Sequence, residues 1–325
     1  MLRASLFCLL GLAACASKGP MEVVDLTEGK PPARGTFRAA VLHLGAQKGD
    51  RESQESTLED LRVNTENAHQ LIRAAHARGA QIVITPEYGN TGNQMKDAPR
   101  DWTATCLPEP PSNTPLHELE LEGLHPYVKD YAKLAAELDI WIVTGVIECV
   151  KAEPENKYYN VGLVLDNKGR VVARYRKINL WVFTESHMDA GNEQTVFESP
   201  FGRFGMLICS DALYPNLWSD LVQEHRSDFL IMQSYWMPSP YIGSLAMNAV
   251  AGHSGRTVLW SNHPNFLAGG AGFVRPGVAN DDSVSTLHGP GVIITDLPLP
   301  DRMQEGYVAS MAKPEEPDGF DWDTE

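Results

Sequence analysis

Three side chains with complementary chemistry stand just past apolar runs that read as strands: Glu87 after QIVITP, Lys177 after VVARYR, and Cys209 after FGMLI. A carboxylate within hydrogen-bond reach of a thiol can take its proton and so make a nucleophile for an amide or nitrile carbon. An ammonium beside the same carbon offsets the charge of the developing oxyanion. It also favours thiolate over thiol. Each residue has a plainer reading as well. A free cysteine after an apolar run is ordinarily core packing, and glutamates and lysines at strand ends are ordinarily solvated. The trio gains weight because all its members fall at the same kind of place, where an open α/β sheet gathers its ligands.

The elements that must position them alternate. Thr36 to Leu44 reads as a buried first strand. Leu58, Leu61, Ala68, Leu71, Ile72 and Ala75 recur at helical spacing up to Gly79, with Gln47 to Ser56 a polar loop before them. Gln81 to Thr85 is the next strand, so the chain begins strand, helix, strand. Residues 90 to 125 are rich in Pro, Asn, Thr and Gly, the composition of a functional loop or lid. A helix over Tyr127 to Leu138 precedes a strand over Trp141 to Glu148. Asn160 to Asp166 and Arg170 to Tyr175 flank a hairpin turn at Asn167-Lys168-Gly169. After Cys209 the pattern predicts a helix over Leu217 to His225, a strand over Phe229 to Gln233, a helix over Ser244 to Ala251 and a strand over Thr257 to Ser261. Gly-rich turns then punctuate the last strands, including Val292 to Thr295.

The first fifteen residues read as an address. Met1-Leu2-Arg3 is a basic start, Leu6 to Leu12 is an apolar run too short to span a bilayer, and Leu12-Ala13-Ala14-Cys15 closes it. That tetrapeptide resembles a bacterial lipobox, which implies lipidation of Cys15 and a place in the cell envelope. Ala16 after the cysteine favours the outer membrane, with the chain facing the periplasm. Residues 16–35 then read as a tether, 36–312 as one α/β domain and 313–325 as an acidic tail. In the oxidising envelope Cys106 and Cys149 could pair, leaving Cys209 free, or both could stay thiols. The 42 acidic against 27 basic residues disfavour a nucleic-acid partner. The scattered histidines show no zinc spacing, so no metal and no other cofactor is expected.

The three segments together resemble the nitrilase superfamily of carbon–nitrogen hydrolases. Thr85-Pro86-Glu87-Tyr88-Gly89 is similar to the family's glutamate segment, Tyr175-Arg176-Lys177-Ile178-Asn179-Leu180 to its lysine segment, and Ile208-Cys209-Ser210-Asp211 to its cysteine segment. A second family glutamate often lies eight residues after the lysine, where this chain has Glu185, and the 32 residues from Lys177 to Cys209 suit the family. The resemblance implies a four-layer αββα sandwich. It implies Cys209 as nucleophile, Glu87 as base, Lys177 and the Ser210 backbone N–H as oxyanion partners, Glu185 as an orienting group and a thioester intermediate. Ser210 departs from the aromatic residue common there. Trp236-Met237, Ser244 to Ala251, Asn262-His263 and Gly270-Ala271-Gly272-Phe273 resemble the biotinidase and vanin branch, whose members cleave secondary amides, though their extra carboxy-terminal domain is not expected here. Tyr235 and Trp236 are then candidates to line the substrate pocket. The expected partner is a small linear carboxamide, with a homodimer as a further expectation. Acyl transfer to an amine and an inactive ligand-binding module on the same fold are the alternatives.

Overall fold

The computed structural model describes residues 21–44, 54–89, 106–109, 115, 128–182, 185–236, 240–263, 269–277, 284–287 and 290–300. Two sheets stack face to face in it. The first runs β1 (Glu22–Asp25), β14 (Gly291–Pro298), β2 (Thr36–His43), β3 (Ile82–Ile84), β5 (Trp141–Lys151), β6 (Lys157–Leu165), β7 (Val171–Arg176), with the two-residue β4 (Leu107–Pro108) also paired to β5. The second runs β13 (Val284–Leu287), β12 (Gly269–Val274), β11 (Thr257–Ser261), β10 (Phe229–Gln233), β9 (Gly202–Ile208), β8 (Val196–Ser199). β2, β3 and β5 are mutually parallel, as are β9, β10 and β11.

Strand alternation sorts the apolar residues into three layers of core. In β2, Phe37, Ala39 and Val41 point between the sheets, and Ala40 and Leu42 point at helices. The helices on that side are α1 (Gln54–His76), through Ala68, Leu71, Ile72 and Ala75, and α2 (Val128–Leu138), through Tyr131 and Leu134. In β10, Phe229 and Ile231 face the other sheet, whereas Leu230 and Met232 face α3 (Pro215–Gln223) and α4 (Pro240–Ser254). The order is therefore helix, sheet, sheet, helix, as the resemblance implied.

The layer between the sheets has unlike ends. Where β2, β9 and β10 begin, Phe37, Phe204 and Phe229 close it, with ring centroids 5.1 to 6.3 Å apart. Such aromatic pairs contribute about 0.5–1.5 kcal/mol each beyond burial. Where the same strands end, the layer turns polar, and a backbone bridge from His43 to Asn262 joins the sheets.

Several boundaries differ from the sequence reading. Part of the stretch read as tether is folded: Glu22–Asp25 pairs in parallel with β14, Glu22 opposite Gly291. Its pattern of one exposed and three half-buried residues is that of an edge strand, which carries little apolar signal. The first long helix starts at Gln54, inside the expected loop, and β5 continues to Lys151. β8 is short and half-polar and was not anticipated. Cys106 and Cys149 are joined in a disulfide, Cα atoms 4.7 Å apart, which settles the open pairing and leaves Cys209 free. Residues 1–20, most of the 90–125 loop and the 313–325 tail lie outside the described residues.

Candidate active site

Glu87, Lys177, Glu185 and Cys209 meet at the polar end of the intersheet layer. Glu87 follows β3, Lys177 follows β7, and Cys209 opens a 3-10 turn, Cys209–Leu213, directly after β9. Two residues here adopt left-handed backbone without being glycine, Tyr88 (φ 50°) and Cys209 (φ 47°). Such residues cost about 1–2 kcal/mol and persist where surrounding structure over-determines them. Gly145 on β5 makes room for the glutamate segment: a Cβ there would lie 2.4 Å from the Pro86 carbonyl oxygen.

Lys177 and the two glutamates are fully buried. The Lys177 ammonium donates to Glu87 Oε1 (2.8 Å) and Glu185 Oε2 (2.7 Å). Asn160 Nδ2 bridges the same carboxylates, 2.7 Å from Glu87 Oε1 and 2.8 Å from Glu185 Oε1. Glu185 also accepts from the Tyr88 hydroxyl (2.5 Å) and the Trp181 N–H (2.6 Å). Glu87 Oε2 accepts from the Tyr235 backbone N–H at 2.7 Å, and that N–H also donates toward the Cys209 sulfur. The His263 ring meets the Glu87 carbonyl oxygen, and burial holds that imidazole neutral, its pKa brought down to about 4.

The electrostatics separate the roles. Burial pushes Glu87 above the usual carboxylate range and the Glu185 charge adds to that, while Lys177 acts in the opposite direction. Burial would raise Glu185 too, but the Lys177 ammonium and the Tyr88 and Trp181 donors hold it below that range. Burial and then the Glu87 charge push the Cys209 thiol well above its ordinary value. Desolvation disfavours the Lys177 ammonium, but the adjacent carboxylates outweigh it and keep the lysine charged. The site therefore sets a neutral thiol beside a glutamate of raised basicity, with a fixed cation and a second fixed carboxylate. That arrangement suits proton transfer from sulfur to Glu87 at the moment of attack.

A second polar layer fixes the two loops. Asp211 is fully buried and accepts from the Tyr175 hydroxyl (2.7 Å), the Ile208 N–H (2.9 Å), and the Asn179 N–H and Nδ2 (3.0 Å each). It thus ties the lysine segment to the cysteine turn. The Ser210 hydroxyl is committed to the Asn179 carbonyl oxygen, so its side chain serves the same tie. Tyr235 is half-buried with its ring 4.7 Å from that of His263, a position at the edge of the site. Trp236 is buried in the helix-side core against which Cys209 also packs, its N–H donating to Asn262 Oδ1 at 2.9 Å. Sequence reasoning missed Asn160, Tyr88 and Asp211 as members of the site. Asn160 carried a signal: an asparagine inside the apolar run YNVGLVL, where an uncharged amide must find buried partners. Among the described residues no group of three or more His, Cys, Asp or Glu is arranged to hold a metal ion.

The fold and this constellation define a class, and comparison with known proteins agrees. The chain belongs to the carbon–nitrogen hydrolase family, whose model matches residues 43–251. It is 30% identical to a pantetheinase of Sus scrofa over 62% of this chain and 42% of that one, and 29% identical to a pantetheinase of Bos taurus over 57% and 38%. A formamidase of Nitratidesulfovibrio vulgaris is 27% identical over 42% of this chain and 36% of its own. The matches to the two pantetheinases thus span about two fifths of their length. Among solved structures, Saccharomyces cerevisiae Nit3 superposes with a TM-score of 0.64 at 17% identity, over 87% of this chain and 97% of that one. An amidase from Nesterenkonia sp. gives 0.61 at 18%, over 87% and 99%. At these identities the structural likeness speaks to the fold.

Proposed function

We propose that this protein is a cysteine-dependent amidase that cleaves a linear carboxamide through a thioester. The observation that carries the reading is the buried Glu87, held by Lys177, Asn160 and the Tyr235 N–H beside the Cys209 thiol. Cys209 Sγ forms a bond to the substrate carbonyl carbon as Glu87 accepts the thiol proton. The carbonyl oxygen takes up negative charge that the Lys177 ammonium and the Ser210 backbone N–H offset. The carbon–nitrogen bond then breaks, with Glu87 returning the proton to the leaving amine. Water next attacks the thioester, again losing a proton to Glu87. The carbon–sulfur bond breaks, the acid leaves, and the proton returns to sulfur. Glu185 keeps Lys177 and Asn160 aimed and stays ionised throughout.

The likeness to pantetheinases and to the biotinidase and vanin branch supports an N-substituted amide as the substrate class. The Cys106–Cys149 disulfide supports an oxidising compartment, in keeping with an envelope protein anchored by lipid at Cys15.

The test is intact-mass detection of a thioester after exposure to a panel of primary amides, N-alkyl amides and nitriles. An adduct on wild type whose mass gives the acyl group, with turnover lost in Cys209→Ala, is the expected result. Turnover undiminished in that variant would sink the assignment. An adduct discharged only to an added amine would replace hydrolysis with acyl transfer.

A further inference from the structure

The first described strand begins at the catalytic end of the molecule. β1 begins at Glu22, opposite Gly291, and Gly291 lies opposite His43 at the end of β2. That is the end at which β3 delivers Glu87 and at which His43 bridges to Asn262. β1 is separated from β3 by β14 and β2, so the entry point is about 14 Å across the sheet from the glutamate strand, at about 4.8 Å per step. Only five residues, six steps from one Cα to the next, separate Cys15 from Met21. Fully extended they reach about 20 Å. A lipid on Cys15 therefore keeps the bilayer within about 20 Å of the start of β1, at the catalytic end.

The surface at that end fits such a neighbour. Six large hydrophobic side chains are exposed among the described residues, and five of them belong to this end. Trp181 and Val182 follow Asn179, which is bonded to Asp211. Leu213 and Tyr214 follow Asp211 in turn, and Leu245 lies in the first half of α4, the helix that leaves the catalytic end. Val182 and Leu245 are 71% and 72% exposed. Large exposed apolar side chains gathered at one end of a molecule point to an interaction surface there. A chain carrying a formal charge of −15 does not seek anionic headgroups, so contact would come from apolar insertion and the anchor.

From these placements we infer that the catalytic end docks on the lipid surface through Trp181, Val182, Leu213, Tyr214 and Leu245, so that substrate enters from the membrane side. The docking rests on the lipid-anchor reading, and the route and preference of the substrate rest on the amidase reading as well. Docking of this kind is insensitive to salt and favours amides bearing an apolar chain, which partition to the same surface.

The experiment uses the full lipidated chain in phosphatidylethanolamine vesicles containing a nitroxide-labelled lipid. A fluorophore is attached at Val182→Cys or at Lys168→Cys in a Cys209→Ala background. Lys168 sits in the β6–β7 turn, at the opposite end of the sheet, where Leu165 pairs with Ile142 near the start of β5. Quenching several-fold stronger at 182 than at 168, unchanged by added salt, is the expected result. Equal quenching, or stronger quenching at 168, overturns the docking while leaving the anchor intact. An emission at 182 that depends on protein concentration and not on lipid overturns it in favour of a second copy of the chain. Intact mass reads the acyl group on Cys15 directly. Its absence removes both the anchor and the docking, and hydrolysis in the soluble assay is the separate measure of the amidase reading.

Discussion

Strand β7 carries two ion networks of opposite design. On its flank, Arg174 and Arg176 pair with Glu148 and Glu109, two cations against two anions, with the Arg176 guanidinium 4.0 Å from the Tyr159 ring centroid. One residue further on, Lys177 serves two buried carboxylates alone. The first network is balanced, and Glu109 and the arginine edges reach water. It fixes β4, and with it the Cys106–Cys149 disulfide, against the sheet. The second is short of one positive charge in a dry place, and burial first, then the Glu185 charge, make Glu87 a better base. The contrast separates charge used to hold structure from charge used to keep a group reactive.

The sharpest way to break the contrast is Lys177→Met. It leaves Glu87 and Glu185 facing each other with no cation, and removing one partner of a buried ion pair costs about 3–5 kcal/mol. A lower denaturation midpoint together with loss of turnover is expected. A variant as stable as wild type would show that the carboxylates do not share their burial cost through this lysine.

Glu185→Gln should sharpen it in a different observable. Glu185 in its charged form raises the Glu87 pKa, so neutralising it lowers that pKa. Protonated Glu87 cannot accept the thiol proton, so activity falls as pH drops through the Glu87 pKa. The acid limb of kcat/KM should therefore move to lower pH in the variant. For stability the sign is set by Glu185 itself, whose pKa is depressed in the folded chain. Its contribution is present above the ordinary glutamate value of about 4.3 and is lost as pH falls through the folded value. The stability difference between wild type and variant should shrink in acid. An acid limb that stays put, or moves upward, contradicts the coupling.

Asn160→Ala is a milder intervention, since it removes a donor shared by both carboxylates and leaves all charges in place. The expected cost is about 1–3 kcal/mol in stability, the range for an unsatisfied buried partner. The acid limb should rise, because an amide that favoured the ionised Glu87 is gone. A kcat loss with no change in that limb would mean that Asn160 only packs.

Much of this was legible beforehand, for a physical reason. Phe229–Gln233 and Thr257–Ser261 were placed correctly because central strands buried on both faces read as uninterrupted apolar runs. Glu87, Lys177 and Cys209 were legible because groups directly after parallel strands gather at one end of the sheets. β1 and β8 were not, because edge strands need only half an apolar pattern. Asp211 was quoted in the cysteine segment yet given no task, because its partners Tyr175 and Asn179 lie more than thirty residues away in sequence. Tyr235 was expected to contribute its ring, and the structure uses its backbone N–H, a group every residue but proline possesses.

The smallest expected effect is on the balanced side. Arg174→Gln leaves Glu148 with its bond from Arg176 (2.6 Å) and Glu109 with its bond from the same guanidinium (2.8 Å), so no carboxylate is stranded. The Arg174–Glu148 pair is largely buried, but with both carboxylates still paired the loss is about 1 kcal/mol. A stability loss of that size is expected, with the acid limb of kcat/KM unmoved. If Arg174→Gln instead moved that limb as far as Glu185→Gln does, the two networks would be electrostatically one. The charge imbalance that adds to burial in making Glu87 basic would then be spread along the whole of β7 rather than confined to the buried cluster.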